Sequence, residues 1–266
     1  MSAAKSSTRH YRTVWISDVH LGFRGCRADF LLDFLHRVTC ERLYLVGDII
    51  DFWDMRRGLY WPQAHNDVVR TVLGKAKHGT EVIYVPGNHD ELVRAHDGLQ
   101  MGNLAIRDRV IHQTADGRRL LVMHGDEFDS VVKCSRLLAL AGSQAYALLL
   151  RANRLVNLAR SKLGLPYWSL AGHLKHKVKN AVNFISNFES AVALAARRHG
   201  VDGVVCGHIH RAEISMIGEA LYLNCGDWVE SCTALVEHGD GKIELLHWSD
   251  QQHALKTEAT LPALAA

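Results

Sequence analysis

Val14-Trp15-Ile16-Ser17-Asp18-Val19-His20 joins an apolar run that favours a β-strand to an Asp-x-His pair. Four further apolar runs along the chain each end in a similar polar motif: Gly47-Asp48, Gly87-Asn88-His89-Asp90, His124-Gly125-Asp126 and Gly207-His208-Ile209-His210. Short apolar runs of this kind predict buried strands. Because α/β proteins bind their ligands beyond the carboxyl ends of such strands, the five motifs predict one shared site.

The side chains in these motifs are of the types that bind metal ions. Asp, Asn and His offer hard oxygens together with imidazole nitrogens, a mixture that suits a pair of Mn²⁺, Fe or Zn ions. Any one of the motifs alone could equally be a tight turn, because Gly and Asn tolerate positive φ. All five together favour a metal site. Two ions a few ångströms apart would activate water and clamp a phosphoryl group, so the sequence predicts a two-metal phosphoric-ester or anhydride hydrolase.

The order of the motifs resembles that of the calcineurin-like metallophosphoesterase superfamily, over residues 14 to about 248. The resemblance implies an α/β (α+β) fold in which two mixed sheets form a β-sandwich flanked by helices. It also implies two divalent ions per chain, Mn²⁺ first and Fe or Zn as alternatives. One ion would be held by Asp18, His20 and His210, and the other by Asn88, His124 and His208, with Asp48 bridging them.

Two residues of the third motif are candidates for catalysis. His89 directly follows Asn88, so we expect it near the metals, where it could protonate the leaving oxygen. Asp90 is expected to orient His89. Asp51 is a second candidate for such an orienting role, with a solvated carboxylate at a helix start as the alternative.

Within the superfamily, the segment Asn224-Cys225-Gly226-Asp227-Trp228 and a long insert are similar to the UDP-2,3-diacylglucosamine diphosphatases of lipid A biosynthesis. This implies hydrolysis of UDP-2,3-diacylglucosamine to UMP and 2,3-diacylglucosamine 1-phosphate. His89 departs from that group, which carries Arg at this position. A permanent cation favours neutralising a diphosphate, whereas an imidazole suits protonation of an alkoxide. A metallophosphatase or phosphodiesterase acting on another nucleotide or lipid phosphate is therefore the alternative. A non-catalytic scaffold would be expected to lack ligands, and here every ligand is present.

The composition predicts one domain and a cytoplasmic protein. With 266 residues and 48% hydrophobic content, the chain can bury one large core. We expect a metallophosphoesterase domain at residues 11–250, a disordered N-terminal tail at 1–10 and a frayed C-terminal tail at 251–266. The first ten residues lack the apolar segment of a secretory signal, and the six cysteines show no framework spacing, which indicates reduced thiols.

Regular elements are expected on both sides of the insert. Helical spacing of apolar residues predicts helices at 27–38 and 62–78. Strands are predicted at 202–207, 220–225, 232–237 and 242–248, with a hairpin turn at Gly239-Asp240-Gly241.

The insert, at about 130–200, reads as helix with a break at Gly164-Leu165-Pro166. It contains eleven basic residues and one acidic residue, Glu189, which makes it +10 in a chain of net charge +3. Its apolar run at 137–150 is too short to span a bilayer. Positive charge together with apolar surface beside a phosphoester site predicts a lid against anionic lipid, on the cytoplasmic face of the inner membrane. The candidate substrate-binding residues are Lys175, Lys177, Lys179, Arg154, Tyr167 and Trp168.

The same insert has two other interpretations. It could be an ordinary helical cap packed on the sheet or on a second subunit, and the oligomeric state stays open. Nucleic acid is a less favoured partner than a phosphorylated small molecule or lipid, although basic helices also follow phosphate backbones.

Overall fold

The computed structural model describes residues 8–130, 157, 160, 161, 164 and 191–249. Its strands are β1 (Arg9–Ile16), β2 (Val38–Val46), β3 (Glu81–Val85), β4 (Gln100–Met101), β5 (Leu104–Ile106), β6 (Val110–Gln113), β7 (Arg119–Val122), β8 (Gly203–Cys206), β9 (Glu213–Ile217), β10 (Ala220–Asn224), β11 (Thr233–Glu237) and β12 (Ile243–His247). Its helices are α1 (Ala28–Arg37), α2 (Phe52–Met55) and α3 (Gln63–Lys77), with short 3-10 helices at Glu91–His96 and Asp126–Ser130. Residues 191–199 are also helical.

The strands form two mixed sheets. The seven-stranded sheet has the order β12-β11-β1-β2-β3-β5-β4, and the five-stranded sheet has the order β6-β7-β8-β10-β9. Strands β1, β2, β3 and β5 run parallel, while β11, β12 and β4 are antiparallel to their neighbours. In the other sheet β7, β8 and β10 run parallel between two antiparallel edge strands. The expected fold of two mixed sheets with flanking helices is confirmed.

Side chains along the strands alternate between the core that lies between the two sheets and the cores that lie under the helices. In β1, Trp15 points between the two sheets, whereas Val14 and Ile16 belong to the cluster that packs against α1 and α3. In β7, Leu120 and Val122 face the same inter-sheet core, and Leu121 packs with the helical residues Val192 and Ala196. Successive side chains of a strand point to opposite faces, so strands that are covered on both faces read as continuous apolar runs.

The helix beyond β1 and the strand that follows it form as the sequence predicts. α1 buries Leu31, Phe34 and Leu35 on one face, which is the apolar stripe of an amphipathic helix. The helix ends where Val38 takes an extended conformation and begins β2. α3 likewise buries Val68, Val72 and Ala76.

Several predicted boundaries need correction. β1 begins at Arg9, within the segment expected to be a tail, because Arg9 and His10 pair with Val38 and Thr39 of β2. The strands β4, β5, β6 and β9 were not predicted. β4 is only two residues long, and β9 is an edge strand whose Ile214 and Met216 are exposed, so neither carries the apolar pattern of a covered strand. The hairpin between β11 and β12 is confirmed.

Of the predicted N-terminal tail, only residues 8–10 are described. Of the predicted insert, only residues 130, 157, 160, 161, 164 and 191–200 are described, and the whole predicted C-terminal tail lies outside the described residues. The six candidate substrate-binding residues, Lys175, Lys177, Lys179, Arg154, Tyr167 and Trp168, also lie outside them. Among the helices that the structure describes, none is long and apolar enough to cross a membrane.

Candidate metal centre

The polar motifs meet because their strands end level with one another. β1 and β2 pair through Ile16 and Leu45, and β2 and β3 pair through Val46 and Val85. In the second sheet the parallel strands β7, β8 and β10 end at Val122, Cys206 and Asn224. The loops that follow these strands therefore converge from both sheets on one side of the sandwich.

A first group of possible ligand atoms comes from Asp18, His20 and His210, whose donor atoms lie within 4.8 Å of one another. Asp18 Oδ1 is 3.1 Å from His210 Nε2 and 4.0 Å from His20 Nε2. The second carboxylate oxygen, Oδ2, accepts a hydrogen bond from the backbone N–H of His208 at 3.0 Å. Asp18 thus fixes the loop after β8 with one oxygen and directs the other at two imidazoles.

A second group consists of Asp48, His124 and His208, again with donor atoms within 4.8 Å of one another. Asp48 Oδ2 lies 3.4 Å from His124 Nε2, 3.9 Å from His20 Nε2 and 4.0 Å from His89 Nε2. Its other oxygen accepts the backbone N–H of His89 at 2.8 Å. Asp48 therefore lies between the two groups, in the position that a bridging ligand requires.

Three buried side-chain atoms that could bind a metal ion make no hydrogen bond. Among the residues that the structure describes, Asn88 Oδ1, His20 Nε2 and His124 Nε2 are buried and have no hydrogen-bond partner. Buried polar atoms are nearly always satisfied, and imidazole nitrogens mixed with carboxylate and amide oxygens are the donors of borderline divalent metals. The donor set fits divalent cations.

In His124 and His20, a neighbouring oxygen holds the ring nitrogen Nδ1, so that the other nitrogen, Nε2, faces the remaining candidate ligands. His124 Nδ1 is 3.0 Å from the backbone oxygen of Val46, and His20 Nδ1 is 3.0 Å from Asp51 Oδ2. Such contacts fix the tautomer and orientation of a metal-binding imidazole. The other oxygen of Asp51, Oδ1, is 2.9 Å from His89 Nδ1. One carboxylate therefore orients both His20 and His89.

The electrostatics of the cluster favour added positive charge. Burial lowers the pKa of His124, but the negative charge of Asp48, whose Oδ2 is 3.4 Å from Nε2, outweighs burial and raises the pKa to about 10. For His20, burial lowers the pKa, but the hydrogen bond that its Nδ1 makes to Asp51 and the negative charge of Asp48 outweigh burial and raise the pKa to about 9. Burial would raise the pKa of Asp18, yet His210 lowers it to about 2. The carboxylates stay ionised and draw cations, whether protons or metals, to this point.

Glycines in the motifs provide space for these side chains. A Cβ at Gly87 would overlap Asp48 Oδ1, one at Gly207 would overlap Asp18 Oδ2, and one at Gly47 would overlap the ring of His124. Gly47 also has a φ of +72°, which favours glycine. In three of the motifs a Gly precedes a candidate ligand. Each of these glycines is required because a side chain there would overlap a candidate ligand from a different motif.

The structure corrects the role expected of Asp90. Its carboxylate is fully buried and accepts hydrogen bonds from the backbone N–H groups of Ile49 at 2.8 Å and Gly87 at 2.5 Å, and from Tyr84 Oη at 2.5 Å. These bonds tie the loop after β2 to the loop after β3. Because Asp90 is occupied in this way, Asp51 is the residue that orients His89.

The segment after β10 and one arginine brace the remaining loops. Asn224 Nδ2 donates to the backbone oxygen of Gly207 at 2.8 Å, and the backbone N–H of Trp228 donates to the backbone oxygen of Asp18 at 3.0 Å. Arg94 donates to Asp126 Oδ1 at 2.6 Å and to the backbone oxygen of Pro86 at 3.1 Å. Arg94 carries no signal in the sequence, because its partners lie in separate loops that only the fold brings together.

Comparisons with known proteins find similarity over most of the chain. The sequence model of the calcineurin-like phosphoesterase family matches residues 11–212. The chain is 26% identical over 248 residues to the UDP-2,3-diacylglucosamine hydrolase of Xanthomonas campestris pv. campestris (strain B100), which covers 86% of this chain and 96% of that protein. The UDP-2,3-diacylglucosamine hydrolase of Aliivibrio fischeri (strain MJ11) is 26% identical over 244 residues, which covers 88% of this chain and 97% of that protein.

One solved structure with similarity to the chain is that of Yfce, a phosphoesterase from E. coli. It aligns with a TM-score of 0.41 and 16% sequence identity, over 88% of this chain and 98% of that one.

Proposed function

The chain belongs to the calcineurin-like phosphoesterase family, and from this membership we propose that it is a two-metal hydrolase of UDP-2,3-diacylglucosamine. The products are UMP and 2,3-diacylglucosamine 1-phosphate. One divalent ion, Mn²⁺ in our proposal, is held by Asp18, His20 and His210. The other is held by Asn88, His124 and His208, with Asp48 between the two.

One arrangement carries the hydrolase proposal: three imidazole Nε2 atoms surround a single carboxylate oxygen. His124, His20 and His89 approach Asp48 Oδ2 to 3.4, 3.9 and 4.0 Å. When bound, the two ions would activate water and neutralise charge on the phosphoryl oxygens. The choice of substrate draws on relatives that align over nearly their whole length and on the basic, apolar composition of residues 130–200.

The chain's own residues supply positioning and a proton. Asp51 Oδ1 lies 2.9 Å from Nδ1 of His89, and the other ring nitrogen, Nε2, faces Asp48 Oδ2 at 4.0 Å. A proton held at Nε2 can be given to the leaving oxygen as its bond to phosphorus breaks.

His89 favours a second candidate function, phosphodiester or phosphomonoester hydrolysis. An alkoxide is a poor leaving group that needs a proton, and an imidazole can supply one. The leaving group of a diphosphate is a phosphate, which depends less on protonation than on neutralisation of its charge. This argument concerns the substrate alone and leaves the proposed metal centre unchanged.

The test is a comparison of substrates with the purified, Mn²⁺-loaded protein. UDP-2,3-diacylglucosamine, bis-p-nitrophenyl phosphate and p-nitrophenyl phosphate are assayed at equal metal occupancy. We expect release of UMP from the acylated UDP-sugar with the highest kcat/KM of the three. A higher kcat/KM on either nitrophenyl ester, with no UMP released, would favour the second candidate. Failure on all three at full metal occupancy would contradict both.

A further inference from the structure

Trp53 is a large aromatic residue that remains open to solvent beside the candidate centre. The residue is 43% exposed, although its ring centroid lies 4.4 Å from that of His89, with 33° between the ring planes. His20 contacts the imidazole of His89 edge-on, with centroids 4.7 Å apart and 88° between the planes. The imidazole is thus enclosed by His20 and by the indole, while part of the indole faces outwards.

The position of Trp53 is fixed by the same residue that orients His89. Trp53 belongs to α2, and Asp51 caps this helix by accepting the backbone N–H of Asp54 at 2.8 Å. The backbone N–H of Phe52 also donates to the backbone oxygen of His89 at 3.3 Å. The indole and the imidazole are therefore held against each other, and Nε2 of that imidazole faces Asp48 at 4.0 Å.

We propose that Trp53 forms an aromatic subsite that binds a flat, apolar part of the leaving group next to His89. This proposal rests on the proposed role of His89 towards the leaving oxygen. It belongs with the second candidate function, phosphodiester or phosphomonoester hydrolysis, because the 2,3-diacylglucosamine 1-phosphate released from UDP-2,3-diacylglucosamine carries no flat ring. An indole offers a rigid apolar face, and planar groups stack on such faces with useful affinity. A leaving group with a ring would be held against Trp53 with its oxygen near Nε2, whereas an alkyl group would gain less from the same contact.

A different role for Trp53, holding the His89 ring in place without touching substrate, makes a separate prediction. Loss of such support would slow every substrate that needs a proton from His89 by the same factor. A subsite instead changes the preference between leaving groups of equal acidity. The ratio of two rates therefore separates the roles, because any effect on His89 cancels in the ratio.

The experiment uses the Mn²⁺-loaded protein and two methyl phosphodiesters that differ in the leaving group, phenol or hexafluoroisopropanol, which have similar acidities. In Trp53→Ala, the ratio of kcat/KM for the phenyl ester to that for the fluoroalkyl ester should fall roughly fivefold. Trp53→Phe should retain most of the preference. Leu59→Ala, which removes a residue that is 77% exposed a few positions further on, serves as the matched control and should keep the ratio of the wild type.

An unchanged ratio in Trp53→Ala, with equal losses on both esters, would overturn the subsite and leave Trp53 as a positioning residue. A second measurement separates this outcome from failure of the proposed function. If the wild type hydrolyses neither ester, calorimetric binding of phenylphosphonate and methylphosphonate is compared instead. Loss of the advantage of phenylphosphonate in Trp53→Ala would support the subsite even though the reaction was wrongly proposed. Equal binding of both probes to the wild type would overturn the subsite.

Discussion

Backbone conformation distinguishes the candidate ligands at the scale of single residues. Five of them have positive φ, between 51° and 68°: Asp18, His20, Asp48, His208 and His210. Outside glycine this left-handed region costs on the order of 1 kcal/mol or more per residue, least for Asp, Asn and His. Such strain persists only where the surrounding structure enforces it, which is common at functional sites. Here it turns each loop sharply after its strand and directs the side chains to one point.

Asp48→Asn should release metal and nearly abolish turnover, because it removes negative charge from the position that the two groups share. We expect metal affinity to fall roughly a hundredfold or more. Bound metal per chain, measured beside the rate, checks this. Asp29→Asn, which alters an exposed carboxylate on α1, is the control. Full metal occupancy with normal turnover in Asp48→Asn would refute the bridging role.

His89→Ala should slow the hydrolysis of alkyl esters far more than that of p-nitrophenyl esters, since p-nitrophenolate leaves without protonation. General acid catalysis typically contributes about a hundredfold or more. Rates for a methyl ester and a p-nitrophenyl ester of the same phosphate provide the comparison. Metal content should not change, because His89 is not a proposed ligand. Equal losses on both esters would argue for positioning without proton transfer.

At the scale of elements, the site depends on loops that are tied to one another more than on any single strand. Asp90 bonds the loop after β2 to the loop after β3. Asn224 and Trp228 bond the segment after β10 to the loops after β8 and β1. Buried, satisfied hydrogen bonds of this kind make a structure rigid. A small displacement of one loop should therefore disturb ligands that another loop carries.

Gly87→Ala tests this coupling, because a Cβ at Gly87 would overlap the carboxylate of Asp48. We expect weaker metal binding and a lower rate, although Gly87 itself offers no ligand atom. Metal titration followed by calorimetry measures the loss. Gly74→Ala in α3 is the matched control, since a Cβ there would meet nothing within 4 Å and alanine favours a helix by about 1 kcal/mol. Unchanged metal affinity in Gly87→Ala would show that the loop yields without moving Asp48.

At the scale of the whole molecule, a buried polar network joins the two sheets away from the centre. Glu237 of β11 accepts from Thr13 Oγ1 at 2.7 Å and lies 3.0 Å from His112 Nε2 of β6, while Tyr44 Oη is 3.2 Å from His112 Nδ1. Both Glu237 and His112 have side chains that are 0% exposed. Since Thr13 precedes Asp18 by five residues, the network lies about 16 Å along β1 from the site.

The stability of the fold should depend on the ionisation of Glu237. Burial would raise the pKa of its carboxyl, but hydrogen bonds from His112, Thr13 and Ala115 outweigh this and lower the pKa from 4.5 to about 2. Ionised Glu237 therefore stabilises the fold above pH 4.5, and this contribution is lost as the pH falls towards 2. A shift of this size corresponds to about 3 kcal/mol.

The measurement is the free energy of unfolding in urea between pH 6 and pH 3, for the wild type and for Glu237→Gln. The variant should be less stable near neutral pH, and the difference between the two proteins should shrink as the pH falls. Ligands of the metal centre titrate in both proteins, so their effect cancels in the difference. A difference that stays constant across this range would contradict the assignment.

The charge of the insert leads to a prediction of its own. Neutralising Lys175, Lys177 and Lys179 together should weaken binding to anionic vesicles roughly a hundredfold, since each basic group near such a surface contributes about 1 kcal/mol. Hydrolysis of a small soluble diester should be retained, and raised salt should weaken vesicle binding in the wild type. If the wild type does not bind the vesicles, the insert is a cap or a dimer element instead.

The sequence by itself determined the strands that are covered on both faces and the set of candidate ligands. Apolar runs predicted β1, β2, β3, β7 and β8, because strands buried on both faces need apolar side chains throughout. The polar motifs that follow these strands can be recognised because carboxylates and imidazoles grouped at strand ends are typical of ligand sites. The apolar stripes of α1 and α3 were visible for a similar reason, since each helix packs one face on a sheet.

Only the tertiary structure decided which residues act on which. The sequence favours Asp90 as the partner of His89 and offers Asp51 as a second candidate, whereas the carboxylate oxygen 2.9 Å from His89 Nδ1 belongs to Asp51. Hydrogen bonds depend on direction and on distances of about 3 Å, which the register between β2 and β3 sets and the order of residues does not. Trp53 and Arg94 carry no signal in the sequence for the same reason: their partners come from other loops, and only the packing of the two sheets brings those loops together.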